Sequence, residues 1–138
     1  MPRVLGVDHG TKRIGIAVSD ELKMIAQPLE YIPAEPQEFF WESFSKIIRE
    51  KSVDQIIVGM PRNMNGTYGP AAEKVKVFVE EIKQRYPEIK VRTWDERLTS
   101  SQANRLLIEA DVRRGKRKEK VDKMAAAIIL QSYLDAVG

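Results

Sequence analysis

Val4-Leu5-Gly6-Val7-Asp8-His9-Gly10-Thr11-Lys12-Arg13-Ile14-Gly15-Ile16-Ala17-Val18 decides the architecture of this chain. Val4 to Asp8 is a short apolar run that ends in a carboxylate. His9-Gly10-Thr11-Lys12 turns the chain, and Ile14 to Val18 is a second β-branched run. Two such runs separated by so few residues predict an antiparallel hairpin. Downstream, Ile25 to Ile32 reads as a third strand. Pro28 lies inside it and cannot donate to a ladder, so this strand belongs at a sheet edge.

Beyond Pro36 the period changes. Phe40, Phe44, Ile47 and Ile48 recur at helical spacing with Trp41 beside them. Val53 to Met60 returns to a buried strand, closed by Gly59-Met60-Pro61. Gly69-Pro70 opens a helix, proline being favoured in the first turn. Its apolar face is Val75, Phe78, Val79, Ile82 and Tyr86, and Pro87 ends it. Ile89 to Trp94 is a fifth strand. Thr99 and Gln102 form a capping-box pair, ahead of a third helix carrying Ala103, Leu106, Leu107 and Ala110. A final helix is expected from about Glu119 to Ala136. The order βββαβαβαα implies an α/β fold, a five-stranded mixed sheet with helices on both faces. Right-handed crossovers place the later strands beyond the first, giving the order 3-2-1-4-5. Asp8 then lies at the C-terminal end of the central strand, where open α/β sheets bind ligands.

Length and composition bound the rest. A chain of 138 residues, 43% hydrophobic and 31% charged, is expected to form a single globular domain over 1–138. Met1-Pro2-Arg3-Val4 enters a strand without a signal-peptide core, and no apolar run approaches a membrane span, so a cytoplasmic location is expected. Cysteine is absent and His9 is the only histidine. That disfavours a zinc site and a Ser-His pair, leaving carboxylates, hydroxyls, Lys and Arg to carry any chemistry. The net charge of +3 leans toward an anionic partner.

Three acids stand out: Asp8 after the first strand, Glu96 after the fifth, and Asp122 at the opening of the last helix. Converged carboxylates repel unless a cation sits among them, and hard oxygen ligands select Mg²⁺ or Mn²⁺. Such a set suits phosphodiester hydrolysis. Adjacent residues of an extended chain face opposite ways, so only one of Asp95 and Glu96 should reach the site, and spacing leaves open which. Asp122 precedes Ala125, Ala126, Ile129 and Tyr133 by three, four, seven and eleven residues, which places it on their helix face. Turn bonding at Asp8, an ion pair of Glu96 with Arg97, and helix capping by Asp122 are the plain structural alternatives.

Four segments in order resemble the YqgF family of the ribonuclease H-like superfamily, described as Holliday-junction resolvases and as pre-16S ribosomal RNA nucleases. They are Gly6-Val7-Asp8-His9-Gly10-Thr11-Lys12-Arg13-Ile14-Gly15, Val58 to Thr67, Asp95-Glu96-Arg97-Leu98-Thr99-Ser100, and Val121-Asp122-Lys123-Met124-Ala125-Ala126. The resemblance implies a ribonuclease H-like fold and favours Glu96 over Asp95. It makes Asp8, Glu96 and Asp122 the catalytic and metal-binding set. It favours a nuclease processing the 5′ end of the small-subunit ribosomal RNA precursor, with junction cleavage as the alternative. A noncatalytic RNA- or ribosome-binding factor on a retained nuclease fold is the reading from another class. Asp8-x-Gly10-Thr11 also resembles the phosphate loop of sugar kinases and actin-like ATPases, which clamp nucleotide between two domains where this chain supplies one.

Candidate contacts to nucleic acid are Lys12 and Arg13 in the hairpin, Arg62 and Asn63 after the fourth strand, and Arg97 beside Glu96. The run Arg113, Arg114, Lys116, Arg117, Lys118 and Lys120, with Glu119 the only acid among them, is the densest cationic stretch. It is read as a phosphate-binding loop leading into Asp122. His9 should face away from Asp8 and pack. Trp41 and the Phe39-Phe40-Phe44 cluster are read as core. The expected partner is precursor ribosomal RNA or branched DNA, with the protein a monomer or homodimer.

Overall fold

The computed structural model describes residues 2–10, 12–61, 68–96 and 114–137, with side chains from residue 124 onward in the last segment. The helix expected over Ala103 to Ala110, its capping pair Thr99 and Gln102, and Thr11 lie outside the described residues. The elements are β1 (Arg3–His9), β2 (Arg13–Ser19), β3 (Ala26–Pro33), α1 (Gln37–Glu50), β4 (Val53–Met60), α2 (Pro70–Arg85), β5 (Lys90–Asp95) and α3 (Arg114–Val137). The strands form one sheet in the order β3-β2-β1-β4-β5, as the sequence implies. β1 pairs antiparallel with β2 and parallel with β4, and β4 pairs parallel with β5.

β1 is covered on both sides, which is why it reads as an unbroken apolar run. Leu5 and Val7 point into a core with Phe40, Trp41 and Phe44 of α1 and Val75, Phe78 and Ile82 of α2. Val4 belongs to the opposite core, with Ile57 and with Ala126, Ile129, Leu130 and Tyr133 of α3. Strand alternation therefore puts Val4, Gly6 and Asp8 on the α3 side, and Leu5, Val7 and His9 on the α1/α2 side. β3 is the exposed edge, and Pro28 sits beside the register shift between Ile16 and Ala17, where a missing N–H is tolerated.

Helix α3 lies very close to the sheet. A Cβ at Gly6 would come within 2.7 Å of Leu130 Cβ and 3.0 Å of the Ala126 carbonyl oxygen. Glycine at that point is thus a condition of the helix position. Side chains then fix the docking along its length. Trp94 Nε1 donates to Ser132 Oγ at 3.0 Å, and the indole meets Tyr133 edge-on at 5.4 Å. Gln55 Nε2 donates to Tyr133 Oη at 2.7 Å. Toward the sheet edge, Gln131 accepts from the Ala26 amide at 2.8 Å and donates to the Met24 carbonyl at 3.0 Å.

Several boundaries differ from the expectation. β3 starts at Ala26, because the Ile25 amide is taken by the Asp20 carboxylate at 3.1 Å and Ile25 is exposed. β5 starts one residue later and extends to Asp95. Phe39 is 51% exposed and leaves the aromatic core to Phe40, Trp41 and Phe44. The largest correction is α3. It spans Arg114–Val137, so the cationic run from Arg114 onward is helical backbone instead of a loop, and Asp122 lies in the third turn instead of opening the helix. Capping and the N-terminal helix dipole therefore do not account for an acid at 122. Among the described residues, no helix is long and apolar enough to cross a membrane.

Candidate active site

Asp8 is the last residue of β1 on the α3 face. Its strand partner is Gly15 on β2, and the ladder with β4 ends one residue earlier, at the Val7–Val58 pair. Glu96 follows β5 directly. Trp94 faces α3, so Asp95 turns to the other side and Glu96 returns to the α3 face. That alternation separates two acids which spacing alone could not. Asp8 and Glu96 are brought together: they share a hydrogen bond, and the Glu96 carboxyl is pushed up to about 7. Burial is the main cause, followed by the Asp8 charge, the Asp8 hydrogen bond and the Asp95 charge. A carboxyl held neutral beside a carboxylate is how a low-dielectric site resolves two like charges.

This sets a pH dependence for metal-free protein. The folded state keeps the Glu96 proton to about pH 7, whereas an unfolded Glu releases it near its ordinary 4.5. Unfolding releases a proton between those values, so the Glu96 contribution is full below about 4.5 and is lost as pH rises through 7. His9 acts oppositely, since burial lowers its imidazole and stability grows as pH rises toward its ordinary value. Subtracting the Glu96→Gln profile isolates the effect. In chelator, wild type should lose about 1–2 kcal/mol relative to that variant between about pH 5 and 8, as thermal melts would record. A flat difference would mean the two carboxyls are apart.

The remaining predicted residues are placed less fully. Asp122 is one helical turn before Ala126, whose methyl group lies 3.7 Å from the position of a Cβ on Gly15, but its side chain lies outside the described residues. Among the described residues no three such ligands group around a metal position. Lys12 lies in the β1–β2 turn and Arg13 opens β2, both at the Asp8 end of the sheet. Arg13 is already engaged, its guanidinium 4.5 Å above the Tyr31 ring. Arg62, Asn63, Arg97 and Arg113 lie outside the described residues, as do the side chains of Arg114, Lys116 and Arg117. His9 faces away from Asp8, as expected, with its ring 4.6 Å from Phe78. It borders a separate cavity of about 320 Å³ between α1 and α2.

A family profile described as RuvX, Holliday junction resolvase, matches residues 2–136. The chain belongs to the RuvX family. A Desulforamulus reducens relative is 51% identical over 97% of both chains, and a Bacillus cytotoxicus relative is 48% identical over 97% of this chain and 98% of its own. Both are provisionally named pre-16S rRNA nucleases. Among solved structures, Thermus thermophilus RuvC with a Holliday junction substrate aligns at a TM-score of 0.55 and 16% identity, covering 99% of this chain and 96% of that one. The fowlpox virus Holliday junction resolvase also aligns at 0.55, with 15% identity over 97% and 99%. These likenesses show that the RuvX chain has the ribonuclease H-like fold of the resolvases.

Two features of this RuvX site escaped the sequence reading. Gly59 meets the Glu96 side chain directly, and Trp94 ties β5 to α3 through Ser132. The first had a usable signal, since a glycine inside a strand marks a close approach. The second had none, because Trp94 and Ser132 are 38 positions apart.

Proposed function

We propose that this chain is a divalent-metal-dependent nuclease that processes the 5′ end of precursor 16S ribosomal RNA. The observation that carries the reading is the paired Asp8 and Glu96 at the C-terminal ends of β1 and β5, in a chain about half identical to relatives of that name. The donor set fits a hard cation. It is all oxygen, and the negative charge of Asp8 and Asp95 beside the buried Glu96 carboxyl favours a positive charge there. Asp8, Glu96 and Asp122 would hold Mg²⁺ or Mn²⁺. Such a cation supplies Lewis-acid stabilisation of the charge that develops on the phosphoryl oxygens.

The chain's own residues do the rest. Asp8, paired with Gly15 of β2 at the end of β1, presents its carboxylate from rigid backbone, so a cation would be met by a prepositioned ligand. A cation at this pair would compete with the Glu96 proton, so metal affinity should rise with pH toward neutrality. No imidazole serves as base, because the sole histidine faces the other side of the sheet. Lys12, Arg62, Asn63, Arg97 and the cations from Arg113 to Arg117 would hold the phosphate backbone around the scissile bond.

The family description makes junction DNA the comparison substrate. Purified protein should be incubated with precursor 16S RNA and with a four-way DNA junction, each with Mg²⁺, Mn²⁺ or chelator. Trimming of the RNA near its 5′ end, lost in chelator, is the expected result. Symmetric cleavage of the junction alone would reassign the substrate. Intact substrates under every metal condition would remove the nuclease reading and leave a binding factor.

A further inference from the structure

β1 and β5 are not neighbours. β4 lies between them, so the backbones bearing Asp8 and Glu96 are separated by two strand spacings, roughly 10 Å. To hydrogen-bond Asp8, the Glu96 side chain must lie across β4. The residue beneath it is Gly59, which pairs with Trp94 on β5. A Cβ at Gly59 would stand 2.8 Å from Glu96 Oε1 and 3.0 Å from Glu96 Cγ, and 2.6 Å from Ile129 Cδ1. The first two are contacts with a site residue, and the third is a contact with the helix.

We infer that Gly59 is a positioning residue for the reaction: its bare backbone is the surface across which Glu96 reaches Asp8. The inference rests on the reading of Asp8 and Glu96 as cation ligands. Gly6 provides the contrast. Its near neighbours, Leu130 Cβ, the Ala126 carbonyl and Leu130 Cδ2, are all helix atoms, so it serves helix docking alone. Gly59 has both kinds of neighbour, and one methyl there would push on both. Ile129 is 2% exposed and packed, so it yields little. The carboxylate arm of Glu96 is the freer of the two and is the part that moves.

The two contacts can be separated. Ile129→Val removes the Cδ1 atom that an added Cβ would strike, while the contact with Glu96 stays. Mn²⁺ affinity by calorimetry and melting temperature in chelator are measured for wild type, Gly59→Ala, Ile129→Val and the double variant. Gly59→Ala should lower both quantities, with affinity falling about 10-fold or more. The double variant should regain melting temperature yet keep the weak affinity, and Ile129→Val alone should bind like wild type. If Gly59→Ala binds Mn²⁺ as wild type does, or if the double variant regains affinity along with stability, Gly59 is a packing residue only. Should Gly59→Ala not fold, the double variant carries the test, and wild-type affinity in it overturns the inference. Wild type that neither binds Mn²⁺ nor cleaves removes the cation-site reading itself, whereas a binding wild type matched by the variants removes only the role of Gly59.

Discussion

Asp8→Asn should reduce cleavage by ~1,000-fold or more at saturating Mg²⁺ while leaving the fold intact. The amide keeps the shape and one acceptor oxygen but loses the charge that draws a cation. Asp8 sits at the end of the central strand, paired with Gly15 of β2. The same substitution should cost nothing in metal-free protein. Below about pH 7 Glu96 is neutral and can donate to the side-chain carbonyl of the introduced asparagine as it does to Asp8. Above that pH the wild type must hold two negative charges together, and the variant is relieved of one. Equal melting near neutral-acid pH and a higher melting temperature for the variant at mildly alkaline pH, both in chelator, are expected. Normal metal-dependent turnover would end the assignment of Asp8, and a large loss of melting temperature would make it a structural residue.

Neutralising Arg113, Arg114, Lys116 and Arg117 together should weaken RNA binding at least ~10-fold and flatten its salt dependence. Each phosphate that a cation no longer neutralises lowers the log–log slope by about 0.7–0.9, so four neutralised side chains lower it by about 3. The helical start at Arg114 strengthens the argument. Its first turn contains no acid, so cations gather where the helix dipole is itself positive. That arrangement is unfavourable in the free protein and favourable beside polyanion. Two consequences can be measured together. The variant should have an equal or higher melting temperature without RNA, and labelled RNA titrated at several salt concentrations should show the shallower slope. Identical slopes would mean that the run does not touch phosphate.

What could be read in advance follows from what each residue answers to. β4 was legible to the residue because Ile56, Ile57 and Val58 are buried on both sides, and no other structure suits a short β-branched run of that kind. The hairpin and the edge position of Pro28 followed from local chain chemistry. The start of α3 did not, because Arg114 to Lys120 has neither apolar period nor cap, and charge runs read equally well as loop. Phe39 was misjudged because hydrophobicity does not say which side of α1 a ring occupies. At the site, Asp8 could be named from its strand end. Choosing Glu96 over Asp95 on physical grounds required knowing that Trp94 faces Tyr133, a pairing between a strand and a helix far apart in the chain.

The two tryptophans divide the molecule in a useful way. Trp41, on the buried face of α1, packs against Phe44 and against Phe78 of α2. Trp94 sits under α3, bonded to Ser132. Each layer thus contains its own intrinsic fluorophore, with the sheet as partition. With Trp41 replaced by Phe, emission would report only the layer that carries the acids. Loosening of α3 by salt, chelator or RNA could then be followed as a spectral change while the other layer stays silent.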